Sequence, residues 1–249
     1  MPAWEAMSHW ECILRHQATS VSVEVLGSIA GTPYWPAIID VRIDEDLDAI
    51  PFALPRSRHL PHSLIGDFVP SGPDPVVVVC HRGLKLSQGA AAHLRTRGVN
   101  AANLEGGTVA WQAAGLPAVA IPDRETWKRN PRQSWCAPAR PRAGTLASAW
   151  LIRRFLDTDA AILFVDPDQV DGAADRFGAT RLPDHPSELG GFAGTLGITD
   201  RKLAEFPARI VSAMPVLDGL RRLHLDDLAL IEAALPVFDG LFQSVTADA

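Results

Sequence analysis

The chain has 249 residues, 47% of them hydrophobic and 21% charged, and a formal net charge of -6 at pH 7. That length allows two domains with cores of ordinary size. The acidic balance argues against a dedicated nucleic-acid binder, whose affinity comes from basic groups meeting phosphate. Three cysteines, Cys12, Cys80 and Cys136, form no disulfide framework and point to free thiols in a reducing compartment, by default the cytoplasm. The first residues hold Glu5 and Glu11 and do not read as a secretory signal. No run reaches the roughly 18 apolar residues of a membrane span.

Residues 1–19 read as a short helix containing tryptophans. Ser20 can cap a following helix, VSVEVLGSIAG, that ends at Gly31. AIIDV (37–41) reads as a buried strand, and residues 42–75, with six prolines, as loops and short pieces. VVVVC (76–80) is a β-branched run without alternation, as in the centre of a parallel sheet covered on both faces. LSQGAAAHLRTR (86–97) has helical spacing and meets a stop at Gly98. A short strand, a glycine turn and the helix TVAWQAAG follow. Residues 118–145 are rich in arginine and proline and read as a linker over 122–145. Beyond it come a helix at ASAWLIRRFLD, a strand at AAILFVD, a helix at QVDGAADRFGA, a Gly-rich loop at 187–197 and a helical remainder.

Cys80 is the residue best placed for chemistry. It ends a central strand, where open α/β sheets bind their ligands. The loop after it, His81, Arg82, Gly83, Leu84, Lys85 and Leu86, leads into a helix whose N-terminus favours a thiolate and anions. His81, Arg82 and Lys85 add positive charge. The competing reading is a buried structural cysteine.

IIDVR (38–42), VVVVCHRGLKLSQGAAAHLRTRGV (76–99) and LEGGTVAWQAAGLP (104–117) together resemble the rhodanese family over about residues 20–117. The last stretch is similar to the family's closing LxGGxxxWxxxGxP signature. The resemblance implies a parallel sheet with flanking helices and a sulfurtransferase that carries sulfane sulfur as a persulfide on Cys80. It also implies a small sulfur-containing anion as donor, a thiol or cyanide as acceptor, and no cofactor or metal. By the same resemblance Asp40 and Arg42 support the loop, as a buried pair or anchor without direct chemistry. Lys85 stands where the family commonly has Arg, a point charge in place of a fork. Leu86 replaces a small polar residue, with Ser87 one step further. Phosphatases related to the family need Arg six residues after the cysteine; Leu86 stands there, which argues against phosphatase chemistry. His59, in the partly matching segment His59-Leu60-Pro61-His62-Ser63, reads as structural.

Trp150-Leu151-Ile152-Arg153-Arg154-Phe155-Leu156-Asp157 with AAILFVDPDQV resembles the C-terminal domain of chromate-resistance proteins, over about residues 134–245. The family's Asp-Arg-Ile-Ala-Cys-Pro is Gly144-Thr145-Leu146-Ala147-Ser148-Ala149 here, so Ser148 stands for the cysteine. SELGGFAGTLGITD lacks the family's His and Cys, which implies a lost metal site. Arg153 and Arg154 could contact an oxyanion; the alternative is a solvated helix face. Cys12 and His16 lie one helical turn apart, and Cys136 could in principle resolve a persulfide from a linker.

The expected architecture is therefore a rhodanese-like α/β domain at 1–121, a basic Pro-rich linker at 122–145 and a mostly helical α/β domain at 146–249. Sulfur transfer is the leading function. The alternative is a non-enzymatic sensor or regulator of chromate or other oxyanion resistance. The oligomeric state is left open.

Overall fold

The computed structural model describes residues 19–72, 74–129 and 133–245. The Cys12/His16 pair and the N-terminal helix lie outside the described residues. The chain divides into two units, 1–130 and 131–249.

The first unit is built on β1 (Ser20–Val21), β2 (Ala37–Asp40), β4 (Ser57–His59), β5 (Val76–Val79) and β6 (Ala101–Leu104). They form one parallel sheet in the order β1-β6-β5-β2-β4. The four valines of β5 explain its central place. Val77 and Val79 join the core on one face, with Leu26, Trp35, Ile38 and Trp111. Val76 and Val78 join the other, with Ile39, Ala90, Ala91 and Leu94. Successive strand side chains point to opposite faces, so a run with no polar residue feeds two cores at once.

Helices cover both faces. α1 (Val23–Ser28) is capped by Ser22, whose side chain accepts from the Val25 N–H, rather than by Ser20. Ser20 and Val21 are instead held in β1, in register with Asn103 and Leu104. α2 (Asp44–Ala49) follows β2. α3 (Lys85–Thr96) lays Ser87, Ala90, Ala91 and Leu94 on the sheet; the two alanines allow a close approach. α4 (Gly107–Ala113) buries Trp111, whose indole donates to the Pro117 carbonyl and meets Trp35 edge-on at 5.8 Å between centroids. β3 (Phe52–Ala53) pairs antiparallel with β7 (Ala118–Ala120).

The stretch expected to be a linker holds two elements instead. α5 (Arg124–Arg129) docks on the first unit: Arg124 reaches Asp48 at 2.7 Å, Lys128 pairs with Asp44, and Trp127 packs against Leu47, Ala53 and Ile121. β8 (Ser134–Pro138) is the middle strand of a second parallel sheet, between β9 (Ala161–Val165) and β10 (Thr180–Arg181). Of the residues that read as a solvated tether, Arg124, Lys128 and Arg129 lie within α5 and Pro138 ends β8.

In the second unit α6 (Ala143–Phe155) is buried nearly all round, as a helix wrapped by others must be. Trp150 lies against Phe155, Phe206, Phe238 and Phe242. α7 (Val170–Phe177) packs on β8 through Val170 and Ala174. The expected Gly-rich loop is in fact α8 (Leu189–Thr195), because Leu189, Phe192 and Ala193 share a buried face that outweighs the glycine propensity cost. α9 (Phe206–Ser212), α10 (Met214–Leu223) and α11 (Asp227–Gln243) complete the unit. Among the described residues no helix is long and apolar enough to cross a membrane.

Candidate active site

Cys80 follows the last residue of β5, at the carboxyl end of the middle strand of five. Its side chain joins the α3 face, with Ile39, Val41, Val78 and Ala90, and is 4% exposed. The thiol is not enclosed by hydrocarbon alone. Sγ lies 3.0 Å from Ser87 Oγ and 3.9 Å from the Leu84 carbonyl, and the Ser87 hydroxyl is itself 3.2 Å from that carbonyl. Among the described residues no main-chain N–H of the 81–86 loop donates to the sulfur. The polar neighbour of the reduced thiol is instead a side-chain hydroxyl from the first turn of α3.

The loop is locked from behind by the turn that opens α4. Thr108 N donates to the Cys80 carbonyl (3.1 Å) and Val109 N to the His81 carbonyl (3.0 Å). Thr108 Oγ1 adds a second contact to His81 O at 3.4 Å, and Asn103 Nδ2 reaches Gly83 O at 3.4 Å. Gly83 and Gly107 both take the left-handed conformation, with φ of 67° and 59°. A Cβ on Gly83 would stand 2.3 Å from the Leu104 carbonyl oxygen, and one on Gly107 2.1 Å from the Cys80 carbonyl oxygen. The glycines of LEGG and of the cysteine loop therefore meet backbone to backbone, which no side chain permits. This contact, and the parts played by Asn103 and Thr108, had no local signal beyond the paired glycines.

His81 is half-buried and its Nδ1 is shielded from solvent without a partner. Arg82, Leu84 and Lys85 are exposed, Leu84 at 55%. Leu86 is half-buried against the α3-side core.

Asp40 and Arg42 form a fully buried pair. Arg42 Nε and Nη2 donate to the Asp40 carboxylate at 2.9 and 2.7 Å, while Nη1 and Nη2 donate to the carbonyls of Ile50 and Phe52. The pair ties the end of β2 to the chain after α2. His59 Nε2 lies 3.0 Å from the Arg42 carbonyl, and its ring faces Trp127.

The Rhodanese-like domain model matches residues 24–114, the stretch that carries this sheet, loop and lock. Residues 24–114 are a rhodanese-like domain. The model of the ChrB C-terminal domain matches residues 135–181, from β8 through β10. No curated protein matches the chain. Solved structures similar to it include a rhodanese-like domain protein from Staphylococcus aureus (27% identity, 37% of this chain and 90% of that one, TM-score 0.33). A rhodanese homolog from Thermus thermophilus is 29% identical over 35% of this chain and 94% of that one, with TM-score 0.28. A rhodanese-related protein from Thermoplasma volcanium is 24% identical over 40% and 96%, with TM-score 0.33.

In the second unit the two arginines of WLIRRF are occupied. Arg154 is buried and forks onto Asp239, Nε to Oδ1 and Nη2 to Oδ2, each 2.8 Å, and Trp150 Nε1 donates to the same Oδ1 at 2.8 Å. A guanidinium already engaged in this way has no fork to offer an oxyanion. Arg153 pairs with Glu232. Neither the oxyanion contact nor the solvated helix face describes Arg154. Ser148 is buried and donates to the Gly144 carbonyl within its own helix. Cys136 sits in the interior of β8, fully buried, with its thiol on the Val170 carbonyl. Burial pushes its pKa up. It is a core residue, not the mobile linker thiol considered for resolving a persulfide.

Proposed function

We propose that the rhodanese-like domain transfers sulfane sulfur through a persulfide on Cys80. The observation that carries the reading is the strand-end thiol bonded to Ser87 and held by a loop that Gly83 and Gly107 lock in place. The Cys80 thiolate attacks the outer sulfur of thiosulfate. The S–S bond of the donor breaks, sulfite leaves with the electron pair, and Cys80 retains the sulfur as a persulfide. A thiolate or cyanide then attacks that outer sulfur and regenerates Cys80. The N-terminus of α3, twelve residues long, with Arg82 and Lys85 exposed beside it, supports the choice of an anionic donor. Cys80 is 4% exposed, so a donor must approach a nearly buried sulfur.

The test is intact mass after incubation with thiosulfate. A gain of one sulfur atom is expected, lost in Cys80→Ser and reversed by cyanide. If no sulfane donor, thiosulfate or a persulfide, leaves an adduct on folded protein, the proposal fails.

A second reading, a sensor or regulator in chromate resistance, is favoured by the ChrB C-terminal domain match at 135–181. It predicts promoter-DNA binding with a steep salt dependence that chromate alters. DNA affinity indifferent to chromate removes it.

A further inference from the structure

We propose that the Cys80 site draws its sulfur from an organic sulfane-sulfur anion with an apolar substituent, of the thiosulfonate type, and that Leu84, with Ile43 and Val109, receives that substituent. This rests on sulfur transfer through Cys80 and names the donor class for it.

The chain leaving each of three neighbouring strands, β2, β5 and β6, holds one large apolar side chain in water: Ile43 at 43%, Leu84 at 55% and Val109 at 41% exposure. The three strands are parallel, so these residues follow the same carboxyl edge of the sheet, where Cys80 stands. Leu84 is part of the thiol's surroundings, with its carbonyl 3.9 Å from Sγ. Val109 is tied to the same loop, since its N–H donates to the His81 carbonyl at 3.0 Å. On β2, Asp40 is in register with Val79, so the chain through Ile43 leaves the sheet beside the chain through Cys80.

Local structure does not call for these side chains. Leu84 is the N-cap of α3 and Ile43 the N-cap of α2, and neither makes a side-chain cap bond. Serine, threonine, aspartate or asparagine would satisfy a free N–H at such a position, and aliphatic residues are the poorest choice. Packing does not call for them either, since all three are exposed. Single exposed apolar side chains are ordinary. Three on the loops around one thiol, two of them at the expense of a helix cap, are the pattern of a surface that a ligand covers. Arg82 and Lys85 are exposed on the same loop as Leu84 and supply the counter-charge for an anion. Hydrocarbon beside positive charge matches an anionic sulfur carried on an apolar body, whereas thiosulfate has no apolar part to place there. In the reaction the Cys80 thiolate attacks the terminal sulfur of the thiosulfonate. The S–S bond of the donor breaks, a sulfinate leaves with the electron pair, and Cys80 keeps the sulfur as a persulfide.

The test compares benzenethiosulfonate with methanethiosulfonate, two anions of equal charge that differ in apolar surface. The rate of sulfur addition to the full chain is followed by intact mass, and the same ratio measured on free cysteine corrects for intrinsic reactivity. The parent should favour the benzene compound by about tenfold beyond free cysteine, the scale of one good apolar contact. Leu84→Ser should remove most of that preference without lowering the melting temperature, because serine is a good N-cap. Val69→Ser, which removes an apolar side chain 72% exposed and outside these loops, should keep the preference. A parent ratio equal to that of free cysteine overturns the proposal, as does a ratio unchanged in Leu84→Ser or lowered equally in Val69→Ser. In those cases the adducts themselves leave sulfur transfer standing. No adduct from either thiosulfonate or from thiosulfate removes both readings.

Discussion

The Ser87 hydroxyl lies 3.0 Å from the sulfur of Cys80, seven residues away and within the first turn of α3. It stands within reach of both the sulfur and the Leu84 carbonyl, so it can accept from the thiol while donating to Leu84, or turn to donate to the thiolate. Ser87→Ala removes this choice and leaves a methyl group beside Ala90 and Ala91, a change the packing tolerates. Sulfur transfer should slow by about tenfold, the scale of one hydrogen bond to a charged group. Melting temperature should change little. A full-rate Ser87→Ala enzyme would show that the hydroxyl is only packing.

Gly107→Ala places a Cβ 2.1 Å from the Cys80 carbonyl oxygen in a left-handed backbone. The loop behind Cys80 would have to move. A loss of more than about 2 kcal/mol in urea unfolding is expected, because the strain and the clash add. Gly98→Ala, also left-handed but with open space around it, should cost clearly less.

Asp239→Ala strips the carboxylate from the buried Arg154 and leaves Trp150 Nε1 without an acceptor. Removing one partner of a buried pair costs about 3–5 kcal/mol. Glu232→Ala, whose carboxylate is exposed, should cost less than about 1 kcal/mol. Denaturant unfolding of the two variants side by side checks the contrast.

Asp200 caps the turn at Arg201–Ala204 by accepting the Lys202 N–H, and burial raises its pKa above the ordinary carboxylate value. A carboxyl raised in the fold helps folding while protonated, and that help is lost as pH rises through its folded pKa. Asp200→Asn keeps the cap and removes the ionisation. The variant should match the parent at acid pH and become the more stable protein as pH rises above the ordinary carboxylate range. Melting curves across pH 3 to pH 8 test the sign.

Cys136 should resist thiol reagents in the folded protein, since it is fully buried and burial opposes its ionisation. Labelling followed by peptide mapping should find Cys136 modified only after denaturation. Rapid labelling of native Cys136 would restore it as a candidate resolving thiol.

Local pattern was enough for much of the first unit. A β-branched valine run without polar interruption fits the middle of a doubly covered sheet, and the cysteine at its end followed by a glycine loop and a helix needs no distant partner to be noticed. The paired glycines and Trp111 of LEGGTVAWQAAGLP were likewise legible as a motif. That the motif clamps the Cys80 loop was not, because Thr108 and Cys80 meet only after the sheet has formed. The linker and the Gly-rich loop misread for the reverse reason: composition suggested irregular chain where tertiary burial imposed α5, β8 and α8.

The amino-acid order by itself determined the rhodanese-like α/β frame and the place of Cys80 at the end of its central strand, since period, β-branching and helix stops act between near neighbours. Only the tertiary structure decided what the polar groups do. Arg154 is neutralised by a carboxylate 85 residues away, Arg140 meets Arg221 across 81, and the thiol of Cys80 faces a hydroxyl rather than amides. A charge or a donor takes its meaning from the partner that burial brings to it. Chain proximity does not specify that partner.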